Sequence, residues 1–173
     1  MDVQAGIIDR IADSAAYVAR VSETVRTARA RAVPLIHVVV GFRPGMPEAS
    51  ARNQAVNTLL QQRPPFLIDP RPLIEPEDGE VVVIKRRVSA FTGSDLEVVL
   101  RSAEIDHLVL CGIVTSGVVL STVREAADRD YRLTVLGDLC ADPDPEVHAL
   151  LISKVFPRQA RVVTGAAWQA ELP

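Results

Sequence analysis

Three short segments carry side chains able to do chemistry: Met1-Asp2-Val3-Gln4, Ile84-Lys85-Arg86-Arg87-Val88-Ser89-Ala90-Phe91, and Cys111-Gly112-Ile113-Val114-Thr115-Ser116-Gly117-Val118-Val119. An aspartate can give or take a proton, a nearby lysine biases its charge state, and the first turn of a helix offers unpaired N–H groups that can hold an oxyanion. Thr115 or Ser116 becomes a nucleophile only with a base beside it. Taken singly, Asp2 is a surface residue near a terminus and Lys85 is the point where a buried strand meets water. Their occurrence together, with Arg-Arg-x-Ser-Ala-Phe after the lysine, makes them candidate site residues. Arg87 reads equally as a bidentate partner for a substrate carboxylate or as an anchor for an acidic loop. Phe91 either lines a pocket or fills the core beneath it, and Arg43 is either a ligand contact or a solvated loop residue.

These segments need elements to position them. Five apolar runs, 34–40, 81–84, 107–111, 132–136 and 161–163, are continuous rather than alternating, which predicts parallel strands buried on both faces. Helical patterns lie between them. The first carries Tyr17, Val21, Val25, Ala28 and Ala32 on one face after a cap at Asp13 or Ser14. A second begins at Ser94, where Ser94 and Glu97 have capping-box spacing ahead of Leu96, Val99, Leu100 and Ala103. The third spans 116–130 and buries Val119, Val123 and Ala126 or Ala127, with Arg124/Asp128 and Glu125/Arg129 as outer pairs. A fourth follows Pro143 and Pro145 through Val147, Leu150 and Leu151, and Trp168 packs the last helix.

Alternating strands and helices predict an α/β fold: one open, doubly wound, mostly parallel sheet with helices on both faces, in a single domain over 1–173. Its sites belong at the carboxyl ends of strands. Residues 42–80, rich in proline, form a long excursion with one helix at 48–61, suited to covering a pocket or meeting another subunit.

Composition narrows the function. A net charge of −3 without a basic stripe argues against nucleic acid. No apolar run approaches the roughly 18 residues of a membrane span and no secretory pattern opens the chain, so a cytoplasmic protein is expected. Cys111 and Cys140 read as reduced, with Cys111 a buried structural thiol. His37, His107 and His148 lack metal-ligand spacing, so neither a metal nor another cofactor is expected.

In this order the three motifs resemble the isochorismatase-like family, or cysteine hydrolases, across nearly the whole chain; Asp138-x-Cys140 and His148 also match. The resemblance implies an aspartate acid/base at Asp2, its charged partner at Lys85, and Val118 at the place of a nucleophilic cysteine in the first turn after the fourth strand. It also implies an oxyanion turn of Val114, Thr115 and Gly117, with a cis peptide expected at Val114-Thr115. Valine has no nucleophilic atom, so no acyl-enzyme can form there. Isochorismatases need no thiol: they protonate a vinyl ether before water adds, and their Lys-x-Arg-x-Ser-Ala-Phe segment resembles residues 85–91. The expected function is therefore Asp/Lys-assisted hydrolysis of a small carboxylated substrate. A catalytically silent domain that binds a small molecule or a protein is the alternative, and a homodimer or larger homo-oligomer is implied. Relatives carry an apolar run before the aspartate, whereas only Met1 precedes Asp2 here. A start upstream of Met1 is expected, since neighbouring strands would otherwise keep unpaired backbone groups.

Overall fold

A computed structural model describes residues 1–62 and 64–173. Among the described residues five strands, parallel within a two-stranded and a three-stranded sheet rather than the one continuous sheet expected, form its centre: β1 (Ile36–Val40), β2 (Val81–Lys85), β3 (His107–Ile113), β4 (Arg132–Ala141) and β5 (Arg161–Val163). β1 pairs with β2, and β4 lies between β3 and β5. Met1 and Asp2 join the two groups. The Met1 nitrogen donates to the Cys111 carbonyl at 2.9 Å, the Met1 carbonyl accepts from Ile113 at 3.1 Å, and Asp2 N–H donates to Val38 at 2.7 Å. Two residues thus bridge β1 and β3.

The strands follow the apolar runs, but not all are buried on both faces. On β2, Val82 and Ile84 remain 38% and 37% exposed, because β2 is an outer strand with an incompletely covered face. β4 extends five residues beyond the predicted run, through Ala141. Its later part pairs with Gly112 and Ile113 after a register shift.

Among the described residues six α-helices complete the fold: α1 (Ser14–Ala30), α2 (Gln54–Gln62), α3 (Leu96–Ser102), α4 (Leu120–Asp128), α5 (Pro145–Leu150) and α6 (Gly165–Ala170). One apolar cluster joins α3 and α4 to the sheet through Leu96, Leu100, Val119, Val123 and Ala126. On the opposite face, Tyr17 and Val21 of α1 pack with Leu136 and Leu139, and Trp168 of α6 joins them. Burial of these stripes, at about 25 cal/mol per Å² of apolar surface, drives the layering. No helix among the described residues is long and apolar enough to cross a membrane.

Several helix ends differ from their sequence signatures. Asp13 precedes α1 in a left-handed conformation, φ 52°, and its side chain caps nothing; Ala32 lies beyond the helix and is exposed. α3 starts at Leu96 rather than Ser94 because Ser94 Oγ is held by the Ala90 carbonyl at 2.6 Å while accepting from Leu96 N–H. Glu97 turns to Arg101 and Arg129, so the capping box does not close. α2 starts at Gln54 instead of 48, where Asn53 Oδ1 accepts from Val56 N–H at 3.3 Å. On α4 the Glu125–Arg129 pair forms, but Arg124 reaches Gln159 instead of Asp128. After α5, only Leu151 of the predicted stripe is buried; Val147 and Leu150 face outward.

Gly112 is where the bridge meets β3. Its φ is 148°, and a Cβ built there would lie 2.1 Å from the Met1 carbonyl oxygen. Gly112→Ala should lower unfolding stability by about 2 kcal/mol or more, through strain and displacement of Met1. Gly79, φ 90° with open space around its Cβ position, supplies the comparison: Gly79→Ala should lose only about 1 kcal/mol. Urea unfolding of both variants checks the difference.

Candidate active site

Asp2 and Lys85 meet at the carboxyl ends of the strands. Lys85 ends β2 in register with Val40, while Asp2 is tied to Val38 two residues earlier on β1. The Lys85 Nζ to Asp2 Oδ2 distance is 2.9 Å, and both side chains are buried. Lys85 also donates to the carbonyl of Arg87 at 3.0 Å. Asp2 leaves the strand direction in a left-handed conformation, φ 55°, which a short polar residue tolerates. The ladder then continues through a side chain: Gln4 Oε1 accepts from Val40 N–H at 2.8 Å and Nε2 donates to Val40 O at 3.1 Å. Gln4 is fully buried. Its role gives no sequence signal beyond a polar residue in an apolar stretch.

The second oxygen of the aspartate, Oδ1, is buried without a hydrogen-bond partner among the described residues. Burial pushes the Asp2 carboxyl above its ordinary value, and the attraction and hydrogen bond of Lys85 only partly oppose it. An ionised carboxylate is expensive to bury, so desolvation favours the protonated form. This carboxyl thus has one oxygen held by Lys85 and one buried without a partner among the described residues.

The turn after β3 has its own bracing. A cis peptide joins Ile113 and Val114, one bond earlier than the Val114-Thr115 position expected from the resemblance. The chain then forms a wide turn over Thr115–Val119 that runs directly into α4, so the helix expected from residue 116 begins with irregular hydrogen bonding. Val114 O accepts from Gly117 N–H at 3.0 Å and from Val119 N–H at 3.4 Å. Ser116 N–H donates to Asp142 at 2.7 Å, while Thr115 Oγ1 and His148 Nδ1 lie 2.9 Å apart. Asp142 and the partnership of His148 with Thr115 are site supports that no local spacing in the sequence reveals, because they come from the far side of β4. Val118 is 2% exposed and belongs to the core beside Phe91.

The remaining candidates separate. Arg87 is half-buried, its guanidinium donating to the carbonyls of Arg86 at 2.7 Å and Glu48 at 2.9 Å. It therefore anchors the 42–80 excursion by backbone contact. Arg43 pairs with Glu48 at 2.7 Å and stays exposed. Phe91 is buried, its ring centroid 5.9 Å from that of Tyr131 and 4.8 Å from the Arg129 guanidinium carbon, contacts that place it in the core. Burial raises the pKa of both free cysteines, Cys111 and Cys140, so neither is an activated thiolate. Asp138 binds Gly165 N–H at 2.7 Å. His37 pairs with Glu80 and His107 with Thr134, leaving the three histidines in separate environments.

The excursion crosses the Asp2 segment. Leu73 N–H donates to Val3 O at 2.8 Å, and Gln4 bridges Pro72 in antiparallel fashion. Phe42, Met46, Val56 and Leu67 form its small core.

An isochorismatase family protein from Burkholderia thailandensis superposes with a TM-score of 0.84 at 31% identity, over 99% of this chain and 92% of that one. The uncharacterized isochorismatase family protein YecD of Escherichia coli O157:H7 is 42% identical over 85 residues, covering 49% of this chain and 45% of its own. The ureidoacrylate amidohydrolase RutB of Methylobacterium radiotolerans is 29% identical over 164 residues, covering 82% of this chain and 62% of its own. The chain thus spans between about half and two thirds of the length of these two relatives. The isochorismatase domain family matches residues 1–167, and the chain belongs to that family.

Proposed function

We propose that this protein is a hydrolase of a small carboxylated substrate in which Asp2 donates a proton, Lys85 steadies the charge of Asp2, and water is the attacking species. The observation that carries this reading is Asp2 Oδ1, buried and unpartnered beside a carboxylate oxygen already held by Lys85. A general acid must keep its proton near the working pH. Lys85 alone would work against this, but burial reverses the balance. Once the proton leaves, the ammonium stabilises the carboxylate that remains.

Val118, at the position the resemblance gives to the family's nucleophile, removes the covalent route and leaves acid-assisted addition of water. Arg87 is the residue assigned to the substrate carboxylate, because its own carbonyl binds Lys85 and its guanidinium can exchange the Glu48 carbonyl for a stronger charged acceptor. That exchange loosens the 42–80 excursion and opens a route to Asp2. Arg43 enters through the same movement, whereas Phe91 supports the site from the core. The compound for which RutB is named, ureidoacrylate, is itself a carboxylate, in keeping with a small anionic ligand. Loss of the nucleophile at Val118 motivates the alternative, a catalytically silent domain that binds a small molecule or a protein.

A panel of isochorismate, nicotinamide and carbamoyl amides separates the readings. Turnover of a carboxylated member is expected, with Asp2→Asn lowering it about 10²–10⁴-fold and Lys85→Ala also impairing it. Binding without turnover across the panel establishes the silent reading, and turnover unchanged by both substitutions rejects the proposed pair. With Asp2 as the acid, kcat should fall as pH rises through its raised pKa; a rise instead would assign it as a base. Val118→Cys should introduce thiol-dependent amidase activity if the turn still provides oxyanion donors, and carboxamide turnover with and without a thiol-alkylating reagent reads this directly.

Stability gives a separate check. Lys85→Met leaves the buried carboxylate without its cation, at a cost of about 3–5 kcal/mol. The folded pKa of Asp2 then rises further above its unfolded value of about 3.9. Stability from the protonated form is fully present below the unfolded pKa and disappears as pH rises through the folded one. The deficit relative to the unsubstituted chain should therefore be larger at pH 8 than at pH 5 in urea unfolding; a deficit independent of pH would disconnect Lys85 from the charge of Asp2.

A further inference from the structure

β2 pairs with β1 along one edge, and its backbone shows which groups face the other. Lys85 C=O accepts from Gly41 N–H at 3.2 Å, so Lys85 is turned toward β1. Backbone groups of successive residues in a parallel ladder point to opposite sides. Val81 and Val83 therefore face β1 with Lys85, whereas Val82 and Ile84 face outward. Among the described residues, Val82 N–H, Val82 C=O and Ile84 N–H have no hydrogen-bond partner, and Ile84 C=O receives the Arg86 guanidinium at 3.1 Å. That carbonyl keeps a second lone pair.

Proteins usually protect such an edge with proline, a bulge or an inward charge. The segment Val81–Lys85 carries no proline, and its ladder to β1 is regular. Side chains alternate along a strand. Val83 packs with Leu96 and Leu100 of α3, so Val82 and Ile84 project from the opposite face, where both are exposed. Glu80 and Arg86 continue the same alternation at the two ends. Glu80 is held by Arg29 and His37, and Arg86 by Glu48. The exposed face thus reads, in order, acid, Val, Ile, base.

We propose that the outer edge of β2 pairs antiparallel with β2 of a second copy of this chain, about a twofold axis at Val83. In this register Val82 lies opposite Ile84 of the second copy, and each such pair exchanges both of its N–H···O bonds. Glu80 then lies opposite Arg86 of the second copy, so unlike charges meet at both ends. Centring the axis on Val82 instead would set Ile84 against Glu80, and centring it on Ile84 would set Val82 against Arg86. Only the Val83 axis matches apolar with apolar and acid with base. The same four positions supply both sides of the contact, as an isologous interface requires, which favours a second copy over a foreign strand. Pairing uses up both outer edges, so the assembly through this surface closes at two copies. This names a surface and a register for the homo-oligomer that the resemblance implies, and it is independent of the catalytic role assigned to Asp2.

Sedimentation and amide exchange of the unsubstituted chain over a concentration series give the first test. A dimer is expected, with exchange at Val82 and Ile84 slowing by about 10-fold or more as it forms, while Val83, already bonded to β1, changes little. A chain that stays monomeric at every concentration overturns the proposal. So does a dimer in which Val82 and Ile84 exchange as they do in the monomer. Paired substitutions then test the register. Val82→Lys and Ile84→Glu should each weaken dimerisation by about 10-fold or more, because the exposed strand then carries like charges close together across the axis. Combined in one chain, they set lysine opposite glutamate at both pairs and should restore the dimer. In either neighbouring register the combination would oppose like charges, so a double variant no better than the single ones overturns the Val83 axis. Single variants that dimerise as well as the unsubstituted chain overturn the surface itself.

Discussion

Burying a carboxylate and an ammonium at the end of a parallel sheet constrains everything around them. Each charge loses its water, and their mutual attraction offsets that loss only when the geometry is held. The Asp2–Lys85 contact spans the Met1–Asp2 bridge, β1 and β2, so its 2.9 Å separation depends on the register of all three. Gly112 admits the Met1 carbonyl on one side, and Gln4 prolongs the bonding to Val40 on the other. A left-handed turn at Asp2 between these anchors directs the carboxyl toward Lys85.

The turn after β3 is held from a different direction. Ser116 and Thr115 are fixed by Asp142 and His148, both beyond the end of β4. Thr122 of α4 reaches the lysine segment, accepting from Ala90 N–H at 3.0 Å. The lysine segment, the turn and the region after β4 consequently form one braced unit. Val118 points into the core of that unit. The same packing that makes the turn rigid gives an aliphatic side chain a favourable place, and a proton-transfer mechanism makes no demand on that position.

Arginine and glutamate control the cover. Glu48 receives Arg43 and Arg86, while its backbone receives Arg87. The excursion is thus tethered to the segment that carries Lys85. Displacing these guanidinium contacts would therefore loosen the cover and the Lys85 segment together.

The sequence by itself determined the strands, the layers and the identity of the central pair. Continuous Val, Leu and Ile runs can be buried only as inner strands or helices, and their length and spacing selected parallel strands with crossover helices. Order among three motifs brought out Asp2 and Lys85, although neither stands out alone. Only the tertiary structure decided the direction in which the Asp2 pKa moves, because desolvation depends on what covers the carboxyl and no local pattern contains that cover. It also decided the start of α3, where Glu97 turned to Arg129 instead of closing a capping box, and the packing of Phe91 against Tyr131 in the core. These outcomes share one cause: a side chain's residue type fixes which interactions it can make, but competition among partners far apart in sequence selects the one it does make.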